Sequence, residues 1–205
     1  MARSTSKLLI LFALNCTHLN AQDAVKPDES WKVHTIYEGE ACMTAVAADF
    51  TKDGIMDVMA DTGSGHTRLF VGPDWKEISI ESKHDGRYIH SETWDIDGDG
   101  DADYVGAHYN PGLIVWYEQP DKPLTQKWTR RLIDNQVHGI HGVIKGDVDG
   151  DGRIDLLATS AQSLDPFPDS LAWISAPKNP RSGDAWQRHI FADRDAPGLT
   201  HYLGV

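Results

Sequence analysis

Two short stretches of this 205-residue chain set aspartates at a spacing that only a cation can reconcile. Asp147-Val148-Asp149-Gly150-Asp151-Gly152-Arg153-Ile154-Asp155 and Asp95-Ile96-Asp97-Gly98-Asp99-Gly100-Asp101-Ala102-Asp103 carry carboxylates at positions 1, 3, 5 and 9, with glycine at position 6. Side chains of like charge two residues apart cannot share a small volume unless a positive ion neutralises them. Calcium suits the arrangement, being a hard ion that takes six to eight oxygens in irregular geometry. Glycine at position 6 permits the positive φ that folds the loop around the ion. The candidate ligands are Asp95, Asp97, Asp99 and Asp103 in one loop and Asp147, Asp149, Asp151 and Asp155 in the other. A weaker copy, Asp49-Phe50-Thr51-Lys52-Asp53-Gly54-Ile55-Met56-Asp57, has Thr51 in place of an acid and adds a positive charge at Lys52. Asp49, Asp53 and Asp57 are expected to bind weakly or not at all. The competing interpretation is solvated acidic turns without metal.

An EF-hand begins in the same way but needs a bidentate glutamate at position 12 and a helix on each side. Position 12 here is Ala60, Gly106 or Ala158, and each loop runs into a β-prone stretch at 55–59, 104–107 or 154–157. The loops must therefore be held between strands. Two further landmarks recur with them. Trp31, Trp75, Trp128 and Trp186 each open a short β-prone run. Leu69-Phe70-Val71-Gly72-Pro73, Ile114-Val115-Trp116-Tyr117-Glu118-Gln119-Pro120 and Leu171-Ala172-Trp173-Ile174-Ser175-Ala176-Pro177 lie between. Each unit reads as four strands: A enters the loop, B leaves it, C carries the aromatic-then-proline signature and D opens on tryptophan. Prolines sit where strands end.

Four short strands per unit, with the loops 46 and 52 residues apart, predict an all-β fold of β-propeller blades. The blades are expected at about 41–82, 88–134 and 138–193, with the aromatic residues packing between them. Residues 200–205 read as the start of a fourth blade, because His201-Tyr202-Leu203-Gly204-Val205 aligns with His141-Gly142-Val143-Ile144-Lys145. A lone D-type strand is expected from Trp31. About three blades of an incomplete propeller are thus expected, with C-terminal blades missing.

These loops and landmarks resemble the FG-GAP, or VCBS, repeat family over roughly residues 31–205. That resemblance implies a propeller, commonly seven-bladed as in integrin α chains, with Ca²⁺ held on one face of each blade. It also implies that position 7, Asp101 or Arg153, contributes its backbone carbonyl to the ion. The propeller of the aldos-2-ulose dehydratases is similar and implies a metal-dependent carbohydrate lyase site.

Chemistry beyond calcium would come from histidine. In a four-stranded blade, A-to-B and C-to-D loops share one face, and B-to-C and D-to-A loops share the other. His66, His84, His90, His108, His138, His141 and His201 all sort to the second face, opposite the aspartate loops, while His34 and His189 fall within D strands. Tyr88 accompanies them. Converging imidazoles could bind a second divalent metal or act as acid and base near neutral pH. With a metal polarising a sugar ketone, a His or Tyr could abstract the α-proton. The catalytic candidates are His90, His108, His138, His141, His201 and Tyr88. Against this stands the ordinary interpretation, in which loop histidines are solvated or bond neighbouring turns, since no His-x-x-x-His ligand spacing is present.

At the N-terminus, Arg3 and Lys7 precede an apolar run at 8–14, too short to span a membrane and shaped like a signal-peptide core. Residues 1–21 are expected to be a signal peptide with cleavage after Ala21, leaving a secreted or periplasmic chain of 22–205. That segment retains one cysteine, Cys42, so no internal disulfide is expected. The formal charge of −12 comes largely from the metal loops and argues against nucleic acid, which needs a basic face. Two functions remain: a calcium-stabilised scaffold binding a protein or carbohydrate ligand, and part of a carbohydrate lyase with its site on the histidine face.

Overall fold

The computed structural model describes residues 32–63, 65–84 and 86–195. Among these residues, twelve strands form three four-stranded antiparallel sheets, each in plain sequential order. Sheet 1 holds β1 (Cys42–Ala48), β2 (Asp57–Thr62), β3 (His66–Val71) and β4 (Lys76–Glu81). Sheet 2 holds β5 (Tyr88–Trp94), β6 (Asp103–His108), β7 (Leu113–Glu118) and β8 (Thr129–Asp134). Sheet 3 holds β9 (Ile140–Gly146), β10 (Asp155–Ser160), β11 (Leu171–Ser175) and β12 (Gln187–Ala192). The first strands of consecutive sheets pack on one another, β1 on β5 and β5 on β9. These are blades of the propeller type. No helix among the described residues is long and apolar enough to cross a membrane.

The aspartate stretches close the β1–β2, β5–β6 and β9–β10 hairpins. Register makes them equivalent: Ala48 pairs with Asp57, Trp94 with Asp103, and Gly146 with Asp155. In each case the residue before position 1 faces position 9. Residues 32–38 form no strand, so the D-type strand expected from Trp31 is absent over those residues. Trp31 itself, the expected signal peptide, His201 and the expected fourth-blade start lie outside the described residues. Trp75, Trp128 and Trp186 each stand one residue before the strand they were expected to open.

Alternation along the central sheet builds two separate cores. On one face Tyr88, Tyr104, Val115, Tyr117 and Trp128 meet Phe50, Met59 and Leu69 of sheet 1. On the other, Val105, Ala107, Ile114, Trp116 and Ile133 meet Val143, Leu156, Ala158, Ala172, Ile174 and Trp186 of sheet 3. Neighbours such as Tyr104 and Val105, or Trp116 and Tyr117, therefore point to opposite seams, as the two-residue period requires. Trp116, Tyr104 and Tyr88 are fully buried. Gly106 has a packing reason: a Cβ there would lie 2.6 Å from the Tyr88 ring. With no side chain, it lets that ring lie flat on β6.

Candidate metal centre

The three loops share one hydrogen-bond scaffold. The position 1 carboxylate is held by backbone amides from positions 4 to 6. Asp95 Oδ1 accepts from Gly98 N at 2.7 Å and Oδ2 from Gly100 N at 2.9 Å. Asp147 Oδ1 accepts from Gly150 N at 2.8 Å and Oδ2 from Gly152 N at 3.0 Å. Asp49 accepts from Asp53 N and Gly54 N. Position 5 turns the chain again, with Asp99 accepting from Asp101 N and Asp151 from Arg153 N. Glycine at position 6 has φ of +85°, +89° and +84° in the three loops, as expected. Position 4 needs a positive φ as well, a requirement the sequence reading missed. Gly98 and Gly150 meet it at 81° and 77°, and Lys52 is forced to 57°.

Position 9 is held by backbone amides as well. Asp103 is buried, with Oδ2 accepting from Ile96 N at 3.0 Å and Oδ1 from Gln119 N at 2.8 Å. Asp57 accepts likewise from Thr51 N and Gly72 N, and Asp155 from Val148 N. This carboxylate ties the loop to its own strand, and in the first two sheets to the end of the third strand. Burial pushes Asp103 up to about 8, against the pull of its two amide donors.

Convergence is confined to positions 1, 3 and 5. Ligand oxygens of Asp95, Asp97 and Asp99 lie within 4.8 Å of one another, and so do those of Asp147, Asp149 and Asp151. Among the described residues no histidine joins a group of that kind, and the Asp49 loop does not either. Burial is the first cause that raises both Asp97 and Asp101, the latter to about 6, with Asp99 next to each. Asp101 Oδ1 is buried without a hydrogen-bond partner, and buried Asp97 Oδ2 meets the Arg181 guanidinium. An orphaned acidic oxygen beside other carboxylates is what a bound cation would satisfy. A hard divalent ion therefore fits the donor set.

Protein cations already lie against these loops. Arg181, from the turn preceding β12, puts Nε 2.7 Å from Asp97 Oδ2 and 2.6 Å from Glu118 Oε1, and its NH2 group contacts Asp99. Lys52 reaches Asp101 at 3.4 Å from the first loop. In the third loop Arg153 holds Asp151 Oδ2 from Nε at 2.9 Å and lowers its pKa by that hydrogen bond. At position 7, Arg153 thus pairs with a loop acid, and Asp101 with Lys52.

The histidine candidates separate into different settings. Asp61 at the end of β2, His84 after β4, Tyr88 at the start of β5 and His108 at the end of β6 meet in the seam between sheets 1 and 2. His84 Nε2 lies 2.7 Å from Asp61 Oδ2, and its ring stacks on Tyr88 at 4.3 Å. His108 packs on Tyr88 at 4.2 Å and is fully buried, with neither ring nitrogen hydrogen-bonded among the described residues. Burial, with His84 and Arg130 nearby, pushes His108 down to about 3. Neither His84 nor His108 is the solvated loop residue of the ordinary interpretation. His90, in β5, has Nδ1 3.3 Å from Val143 N of β9. His141 stands edge-on to Tyr109 at 6.4 Å, and half-buried His138 precedes β9. His66 pairs with Ser79 Oγ at 2.9 Å.

Residues 95–158 match the model of a family described as the FG-GAP-like repeat. The matched span runs from the second aspartate loop to the β-strand that leaves the third. No curated protein matches the chain significantly.

Proposed function

For a chain whose residues 95–158 are an FG-GAP-like repeat, we propose a secreted, calcium-stabilised binding scaffold. The repeat and its blade-like sheets support an interaction module. The observation that carries the calcium reading is the twofold recurrence of three converging carboxylates on one backbone scaffold. Asp95, Asp97 and Asp99 would hold one ion, and Asp147, Asp149 and Asp151 the second. Bound there, Ca²⁺ supplies charge neutralisation and fixes the hairpin end. Asp103 and Asp155 anchor the loops from beneath. The ligand, a protein or a glycan, would meet the opposite end of the sheets. His90, His138 and His141 stand there, near or just before the starts of β5 and β9.

Chelation tests this directly. At calcium a hundredfold above Kd, each filled loop contributes about 2.7 kcal/mol to folding. For a chain of this size that is a melting shift of roughly 5–10 °C per loop. A chelator should remove that increment, and Asp99→Ala or Asp151→Ala should each remove one loop's share. An identical melting curve with and without chelator would overturn the reading.

A further inference from the structure

A half-open groove of about 640 Å³ lies between the outer strands of sheets 1 and 2. Its chemistry runs against that of the chain. The protein carries a formal charge of −12, yet among the described residues the groove is lined by Lys83, Lys127 and Arg130 and by one carboxylate, Glu81. That carboxylate is already engaged, accepting from the Tyr117 hydroxyl and lying 3.8 Å from Arg130 Nε. No ion pair or hydrogen bond occupies Lys83 or Lys127 among the described residues.

Arg130 is held in place by a buried relay. Its Nε donates to Tyr88 Oη at 3.2 Å, Tyr88 Oη pairs with Tyr117 Oη at 2.9 Å, and Tyr117 donates to Glu81. Burial pushes the Tyr88 hydroxyl up to about 12, so it stays protonated within the relay. One edge of the guanidinium is spent on positioning. Its two terminal nitrogens make no hydrogen bond among the described residues. A guanidinium fixed by its inner edge presents its outer fork to a planar oxyanion, and flanking ammonium groups add charge without directional demand. A concave site walled by one sign of charge focuses that field on an incoming ligand. Trp128 forms an aromatic wall, with its indole N–H donating to Pro123 O at 3.1 Å.

We propose that this groove binds an acidic saccharide of about disaccharide size. Its carboxylate would seat on the Arg130 fork, between Lys83 and Lys127. The volume lies within the range of small-ligand sites. The lining of hydroxyl, ammonium and guanidinium groups suits a polyhydroxylated anion. This goes beyond the binding-scaffold reading by naming a ligand class, and it shares no residue with the aspartate loops, so it stands or falls separately from calcium.

The test is calorimetric titration of the full chain, in calcium, with digalacturonate, maltose and inorganic sulfate in turn. Digalacturonate should bind, and maltose, of similar size but uncharged, should bind at least tenfold more weakly. Affinity should fall as salt is raised. Arg130→Gln should lose at least tenfold. Because Arg130 also bonds Tyr88, Lys127→Gln serves as a second variant: Lys127 is exposed and makes no ion pair among the described residues, and its loss should weaken binding severalfold with an unchanged melting temperature. Maltose binding as tightly as digalacturonate, sulfate binding as tightly as digalacturonate, no measurable digalacturonate binding, or indifference to both substitutions would each overturn the proposal. Digalacturonate binding that survives chelation would leave it intact even if the calcium reading failed.

Discussion

Arg181→Gln should tighten calcium binding at the second loop and leave the third unchanged. Arg181 reaches Asp97 and Glu118 at 2.7 and 2.6 Å and also touches Asp99, so an entering ion must displace or repel its guanidinium. The arginine side chain is 40% exposed, which caps the contribution of each contact. Exposed ion pairs contribute about 0.2–1 kcal/mol apiece, so the three together amount to about 0.6–3 kcal/mol. At about 1.4 kcal/mol per decade, removing them should lower the Kd of that loop roughly threefold to a hundredfold. Glu118 is not left alone in the variant, because Arg131 also holds it at 2.6 Å. The assay is calorimetric calcium titration in an Asp151→Asn background, where only the second loop reports. Unchanged or weaker affinity in Arg181→Gln would refute the reasoning and make the contact a surface pair with no bearing on the metal.

Lys52→Gly should stabilise the first loop. Lys52 sits at φ of 57° where the other loops have glycine, and a left-handed residue with a side chain costs about 1–2 kcal/mol. Its ion pair with Asp101 at 3.4 Å is half-exposed and offsets little of that. The melting temperature should rise about 2–4 °C, and no rise would contradict the strain argument. His108 gives the chain an acid sensitivity. Held down at about 3 by burial, it refuses a proton that the unfolded chain accepts below its ordinary 6.5. Its stabilisation is complete above pH 6.5 and is lost as pH falls from there towards 3. The loss is about 1.4 kcal/mol per pH unit, or about 2 kcal/mol between pH 6.5 and 5. Denaturant melts over that window should show the slope in the native chain and lose it in His108→Phe; equal slopes would refute the assignment.

The hairpin loops were legible because their chemistry is local. Carboxylates at alternate positions and glycine at position 6 fix the turn within nine residues, and strand-forming runs on either side fix the sheet. The three sheets followed from the repeat, and the seam packing from the two-residue period. What escaped the sequence depends on distant residues. Arg181 contacts Asp99 across 82 positions of chain, and nothing in its local context marks it. Only the fold shows that position 9 is buried beneath the loop, with both Asp103 oxygens accepting from backbone amides. The histidine sort by loop type gave the correct strand ends for His84 and His108 but not their depth. They are drawn into a seam by Tyr88 and Asp61, from three different strands. The strand expected from Trp31 rested on a lone tryptophan landmark without a neighbouring strand to pair with.

Calcium stoichiometry by equilibrium dialysis, with single and double substitutions, tests the central claim most directly. The account predicts two ions per chain, one in Asp99→Asn, one in Asp151→Asn and none in the double variant, with Asp53→Asn leaving the count at two. Calcium bound undiminished in the double variant, or no calcium bound by the native chain, would contradict it.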